Sequence, residues 1–133
     1  MLKGGCFCGF VRYEVEATAR HQTNCHCSIC RRVSAAPFVA WFSVPAARLT
    51  FVSGAPARFA SSEHGTRTFC PRCGTPLTFH SSQMPDEIDV TTCSLCDPEQ
   101  EPSKDHTHVS SKLGWVELKD ELPAFPSSRP PDA

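Results

Sequence analysis

The stretch NCHCSICRR, residues 24–32, gathers Cys25, Cys27 and Cys30 and then offers no further cysteine nearby. Thiolates at this spacing converge on one metal ion, and zinc held for purely structural reasons takes four protein ligands. Three ligands leave a position for water or an incoming molecule, which is how catalytic zinc is held. The donor set narrows the chemistry. Three negative thiolates outweigh the ion's two positive charges, so a bound water would be acidified less than among neutral imidazoles. Hydroxide-based hydrolysis is disfavoured. A thiol entering the open position would be held as thiolate and would stay electron-rich enough to attack an electrophilic carbon.

The other cysteines fall into pairs. FCPRCGTP carries Cys70 and Cys73 in a knuckle whose thiolates grip one metal, and Gly74 follows where a positive φ is often needed. GGCFCGF carries Cys6 and Cys8, which would share one face of an extended strand. Joined to Cys70 and Cys73, they make a closed four-thiolate site linking segments far apart in the chain. Such a closure suits a structural staple, because metal binding to a site absent from the unfolded chain contributes folding free energy. Cys93 and Cys96, in TTCSLCDPE, have three readings: ordinary small residues, a redox or third metal pair, or donors of a fourth ligand that would close the triplet.

These residues must be positioned by short strands. Residues 10–16 alternate Val11, Tyr13 and Val15 with Arg12, Glu14 and Glu16, the pattern of a strand with one buried face. Similar runs recur at residues 37–44, 49–52, 58–61, 67–69, 77–80, 88–92 and 107–109, broken by Gly, Pro and Ser. A mainly antiparallel β protein is expected. Helical signal is confined to residues 28–35, ended because Pro37 disfavours helix before it, and one turn at residues 45–49. Of Trp41 and Phe42, one should point inward. His26, between two candidate ligands, would be an acid or base, or would face away.

The 133 residues suit one domain, residues 1–126, with a Pro- and Ser-rich disordered tail at residues 127–133. Lys and Arg number 13 against 14 for Asp and Glu, so a nucleic-acid partner is not expected. The start MLKGGCFCG lacks an apolar export segment and no stretch approaches membrane-spanning length, so a reducing cytoplasm and zinc are expected rather than disulfides or a membrane. A zinc deaminase would need H-x-E or C-x-E followed by P-C-x-x-C, which the chain lacks.

GGCFCGFVRYEV, NCHCSICRRVSAAPFVAWF, RTFCPRCGTPLTF and IDVTTCSLCDPE, in this order, resemble the glutathione-dependent formaldehyde-activating enzyme family, which includes centromere protein V. The resemblance implies a β-tent fold of small antiparallel sheets stapled by zinc, with two zincs per chain. It assigns Cys6, Cys8, Cys70 and Cys73 to a structural zinc and Cys25, Cys27 and Cys30 to a catalytic one. It also implies a carbon–sulfur lyase that adds glutathione, or another small thiol, reversibly to an aldehyde such as formaldehyde. The product would be S-hydroxymethylglutathione. Arg31 and Arg32 would then be candidates to bind a glutathione carboxylate. The family often has Gly where Ala35 stands and an acidic residue where Cys96 stands. The basic extension of centromere protein V is missing, which argues against a chromatin role. The rival expectation is a non-catalytic, zinc-stabilised protein-binding module whose second zinc is closed by another cysteine.

Native mass spectrometry should count about two zincs per chain, and a metal-free protein would reject both sites. Cys73→Ser should abolish the folding free energy that zinc contributes, whereas Cys27→Ser should leave the fold intact, because only the first site joins distant segments. Equal unfolding of the two variants, followed by circular dichroism, would contradict that division.

Overall fold

The computed structural model describes residues 1–131. Strands β1 (Leu2–Gly5), β2 (Arg12–Val15) and β5 (Leu49–Ser53) form a three-stranded antiparallel sheet in the order β1-β2-β5. A seven-stranded sheet contains β3 (Arg20–Cys25), β4 (Val39–Pro45), β6 (Ala57–Ala60), β7 (Gly65–Phe69), β8 (Pro76–Ser81), β9 (Glu87–Thr91) and β10 (Asp105–Thr107). Its order is β10-β3-β4-β9-β8-β7-β6, and β10 runs parallel to β3 while the other neighbours are antiparallel. The chain is mainly β, as its alternating runs imply.

Alternation along β4 divides the large sheet into two working faces. Phe42 and Val44 are fully buried and join Val11, Tyr13 and Val15 of the small sheet, with Leu77 and Val90, in the main core. Trp41 packs on the opposite side with Val39, Cys25 and Cys30. Both aromatic neighbours are therefore covered, one on each face. Fully burying each such side chain contributes roughly 1.5–3 kcal/mol.

Two strands lie outside the runs expected from sequence. β1 is short and rich in glycine, and β3 reads RHQTNC, with no apolar alternation. β3 is held instead by its ladders, antiparallel to β4 and parallel to β10, and its Thr23 and Cys25 line a cavity. Cys6 and Cys8 also differ from expectation. They sit in a tight turn between β1 and β2, not in a strand: the Gly9 N–H donates to Cys6 O and Gly9 adopts φ +84°. The turn brings both sulfurs to one point by folding the chain rather than by strand periodicity.

Helix α1 (Ser28–Ser34) starts at Cys27, whose sulfur accepts the Cys30 N–H at 3.2 Å. It ends at Ala35, held at φ 50°, ψ 46° while its N–H donates to Arg31 O. That left-handed conformation normally favours glycine.

The expected tail at residues 127–133 begins in contact with the large sheet. Ser127 O accepts the His108 N–H at 3.0 Å, and Arg129 pairs with the buried Asp105 and with His21. Composition without periodicity misses this anchoring, because one guanidinium on a buried carboxylate holds the segment. The last residues of that stretch, 132 and 133, lie outside the described residues.

Ala35→Gly should stabilise the zinc-loaded protein by about 1 kcal/mol, since the left-handed conformation carries roughly that penalty for a residue with a Cβ. Urea denaturation measures it. An unchanged or lower midpoint would mean that the conformation at Ala35 is not strained.

Candidate active site

Cys6, Cys8, Cys70 and Cys73 bring their sulfurs within 4.8 Å of one another. The Cys6–Cys8 and Cys8–Cys70 separations are 3.6 and 3.7 Å, close to the roughly 3.8 Å edge of a zinc–sulfur tetrahedron built from ~2.3 Å bonds. They are far too long for a disulfide. Backbone N–H groups favour the thiolate form: Val11 donates to Cys6 at 3.2 Å, and Arg72 and Cys73 donate to Cys70 at 3.3 and 3.4 Å. Cys70 N–H donates to Thr75 O and Gly74 N–H to Cys70 O, closing the knuckle with Gly74 at φ +82°. The Thr75 hydroxyl and backbone pull the Cys73 thiol down to about 5. This donor set fits zinc.

Cys25, Cys27 and Cys30 form the second cluster, also within 4.8 Å of one another. Cys25 ends β3, Cys27 caps α1 and Cys30 follows one turn later, so sheet and helix fix the three sulfurs together. Hydrogen bonding from the Cys25 and Cys30 thiols, with the Cys30 N–H, holds Cys27 far below the ordinary thiol range. Cys25, beside those sulfurs and buried, is pushed far up. Three sulfurs this close cannot all ionise without a cation, and three soft donors fit zinc. No fourth His, Cys, Asp or Glu joins them among the described residues. Cys93 and Cys96 are exposed and join neither cluster; Cys96 N–H instead bonds Lys3 O, beside β1.

The triplet faces a cavity of about 420 Å³. One registered row crosses it: Ser43 of β4 pairs with Asp89 of β9, Asp89 with Phe79 of β8, and Phe79 with Arg67 of β7. Arg67 is only 5% exposed, and its Nη2 donates to Cys30 Sγ at 3.5 Å. Its guanidinium lies 4.9 Å from the Phe79 ring centroid and 5.8 Å from that of Trp41, while Nε donates to Ser61 Oγ at 3.0 Å. Burial pushes the Asp89 carboxyl up, although the Ser43 hydroxyl donates to it at 2.6 Å. Ser128 and Arg129 line the cavity too.

His26 is fully buried and supports the cluster from behind. Its Nε2 lies 3.0 Å from His106 Nδ1, and His106 Nε2 lies 2.8 Å from Asp120 Oδ2. The main-chain N–H of His26 donates to Thr107 O, tying the Cys25–Cys27 segment to β10. Arg31 donates to Ser111 O at 2.6 Å and to His26 O at 3.4 Å. With Arg32 it lines a separate groove of about 710 Å³ beside Trp115, not the sulfur cavity. Ile29 lines both.

Sequence reasoning brought together both sulfur clusters but not Arg67, Asp89 or His106. The usable signal for Arg67 is a cation inside a short strand just ahead of the Cys70 knuckle, where the paired strand's face decides its burial.

The family model for the glutathione-dependent formaldehyde-activating enzyme matches residues 1–111. A Halomonas elongata protein carrying that family's name is 27% identical over 128 residues, spanning 90% of this chain and 82% of the relative. An uncharacterized lyase of Schizosaccharomyces pombe is 31% identical over 77 residues, which is 58% of this chain and 56% of the lyase. The crystal structure of a Rhodobacter sphaeroides protein shares the fold, with a TM-score of 0.59 at 23% identity over 92% of this chain and 98% of that one. The matched span runs from β1 past β10 and takes in every cysteine of both clusters, and this chain belongs to the glutathione-dependent formaldehyde-activating enzyme family.

Proposed function

We propose that this protein is a zinc-dependent carbon–sulfur lyase that forms and breaks S-hydroxymethylglutathione, the adduct of glutathione with formaldehyde. The observation that carries this reading is the three-sulfur cluster, without a fourth side-chain ligand among the described residues, facing a cavity of small-molecule size. The family's name and that of the Halomonas elongata relative support the substrate pair, and the Schizosaccharomyces pombe relative supports the reaction class.

Cys25, Cys27 and Cys30 would hold the catalytic zinc, and Cys6, Cys8, Cys70 and Cys73 the structural one. When bound at the triplet, zinc supplies a soft Lewis acid that lowers the pKa of a thiol. The chain's own groups do the rest. Trp41, Phe79 and Thr107 wall the cavity and limit the water that competes for the aldehyde. The His26–His106–Asp120 chain and the α1 cap keep the three cysteines in one arrangement. Arg31 is occupied by carbonyl oxygens, so Arg32 is the better candidate for a glutathione carboxylate. A tripeptide of roughly 10 Å, bound by its sulfur in the cavity, is long enough to cross Ile29 into the Arg32 groove. The cytoplasm, where thiols stay reduced, suits both the thiolate ligands and this substrate.

Exchange spectroscopy on glutathione with ¹³C-formaldehyde tests the reaction. The wild-type protein should speed interconversion of free and hydroxymethylated glutathione at least tenfold at micromolar concentration. Chelation of zinc or Cys27→Ser should abolish the acceleration. No acceleration by zinc-loaded wild type would leave the binding-module reading standing.

A further inference from the structure

The geometry points to Arg67 as a further catalytic residue: its guanidinium receives the negative charge that develops on the aldehyde oxygen as the carbon–sulfur bond forms. This rests on the lyase reading of the same cavity. A buried arginine normally has a carboxylate partner, because desolvating a cation costs several kcal/mol per ion. Arg67 makes no ion pair with a carboxylate among the described residues. Its nearest counter-charge is the sulfur cluster, through the contact with Cys30, and the buried Asp89 carboxyl, two strands over in the same row, also feels its charge.

The rest of its environment fixes it in place. Ser61 takes Nε, the faces of Phe79 and Trp41 flank the guanidinium, and pairing of β7 with β8 sets the backbone. Nη1 has no hydrogen-bond partner among the described residues and keeps some solvent access, although the rest of the side chain is buried. A positioned cation with unused donors at the edge of the sulfur cluster is what electrostatic stabilisation of an oxyanion formed there requires.

In the forward direction the thiolate pair forms the carbon–sulfur bond, the carbonyl π bond breaks, and its pair goes to oxygen. The alkoxide then takes a proton from water. In reverse the hydroxyl loses its proton to hydroxide, giving back water, the carbonyl re-forms, and the carbon–sulfur pair returns to sulfur. Charge moves between sulfur and an oxygen two bonds away. Arg67 would act through its N–H donors alone and take no part in the proton transfer.

The test uses zinc-loaded wild type, Arg67→Gln and Arg67→Lys, with zinc counted in each. Binding of S-methylglutathione and S-(carboxymethyl)glutathione is measured by calorimetry; the two ligands share the thioether and differ in an anionic oxygen group beyond the sulfur. Wild type should prefer the carboxymethyl ligand at least tenfold. Arg67→Gln should keep about two zincs, bind the methyl ligand within about threefold of wild type, and lose the preference. Its exchange rate should fall about 10²–10³-fold, as when one oxyanion donor is removed, and Arg67→Lys should recover only part of it. The proposal is overturned if Arg67→Gln keeps the preference and the rate. It is equally overturned if zinc and methyl-ligand binding are lost together with the rate, since Arg67 would then only hold the cluster. An inactive wild type would bring down the lyase reading and this inference with it, whereas an active wild type matched by Arg67→Gln would remove Arg67 alone.

Discussion

Repulsion between closely packed thiolates is the constraint that organises this molecule. Seven sulfurs in two clusters lie too close to their neighbours to ionise without a cation. The first cluster meets the constraint with four donors and a shell of backbone N–H groups. The second has three donors and a single side-chain cation, Arg67, against one of them. The same physics therefore yields a saturated site and one whose electrostatics are shared with the cavity.

The chain separation of the ligands sets what each cluster does for the fold. Cys8 and Cys70 are 62 positions apart, so a metal there closes a long loop and locks the β1–β2 turn against the β7–β8 knuckle. Cys25, Cys27 and Cys30 are almost contiguous, and closing them restricts few conformations. Their arrangement comes instead from β3 pairing, the α1 cap and the histidine pair behind them. A site that contributes little to chain closure can lose or exchange a ligand without unfolding the protein, which is the freedom an exchanging thiol requires.

How far this was legible in sequence follows from the range of each interaction. The Cys70 knuckle and the triplet are local patterns, so both clusters and the positive φ of Gly74 could be read directly. Arg67, Asp89 and Phe79 become neighbours only through registry between strands, and nothing in their own segments announces it. β3 escaped because polar residues replace the usual alternation where a strand faces a cavity. A C-x-C pair alone suggests an extended strand, but Gly9 turns the chain there. His106 was missed because a lone histidine carries no motif, and its partners His26 and Asp120 lie 80 and 14 positions away.

The cavity itself is built from parts of unequal stability. Its floor, carrying Trp41, Asp89, Phe79 and Arg67, belongs to interior strands of the large sheet with a packed core beneath them. The wall at Ser128 and Arg129 is held by the Asp105 ion pair, the bond to His21 and a few backbone bonds such as His108 to Ser127. Local opening draws on the segment with the fewest buried apolar contacts and the most exposed hydrogen bonds. The C-terminal wall fits that description and the sulfur-bearing floor does not. Reacting groups that must hold their geometry are thus placed on the rigid side of the cavity.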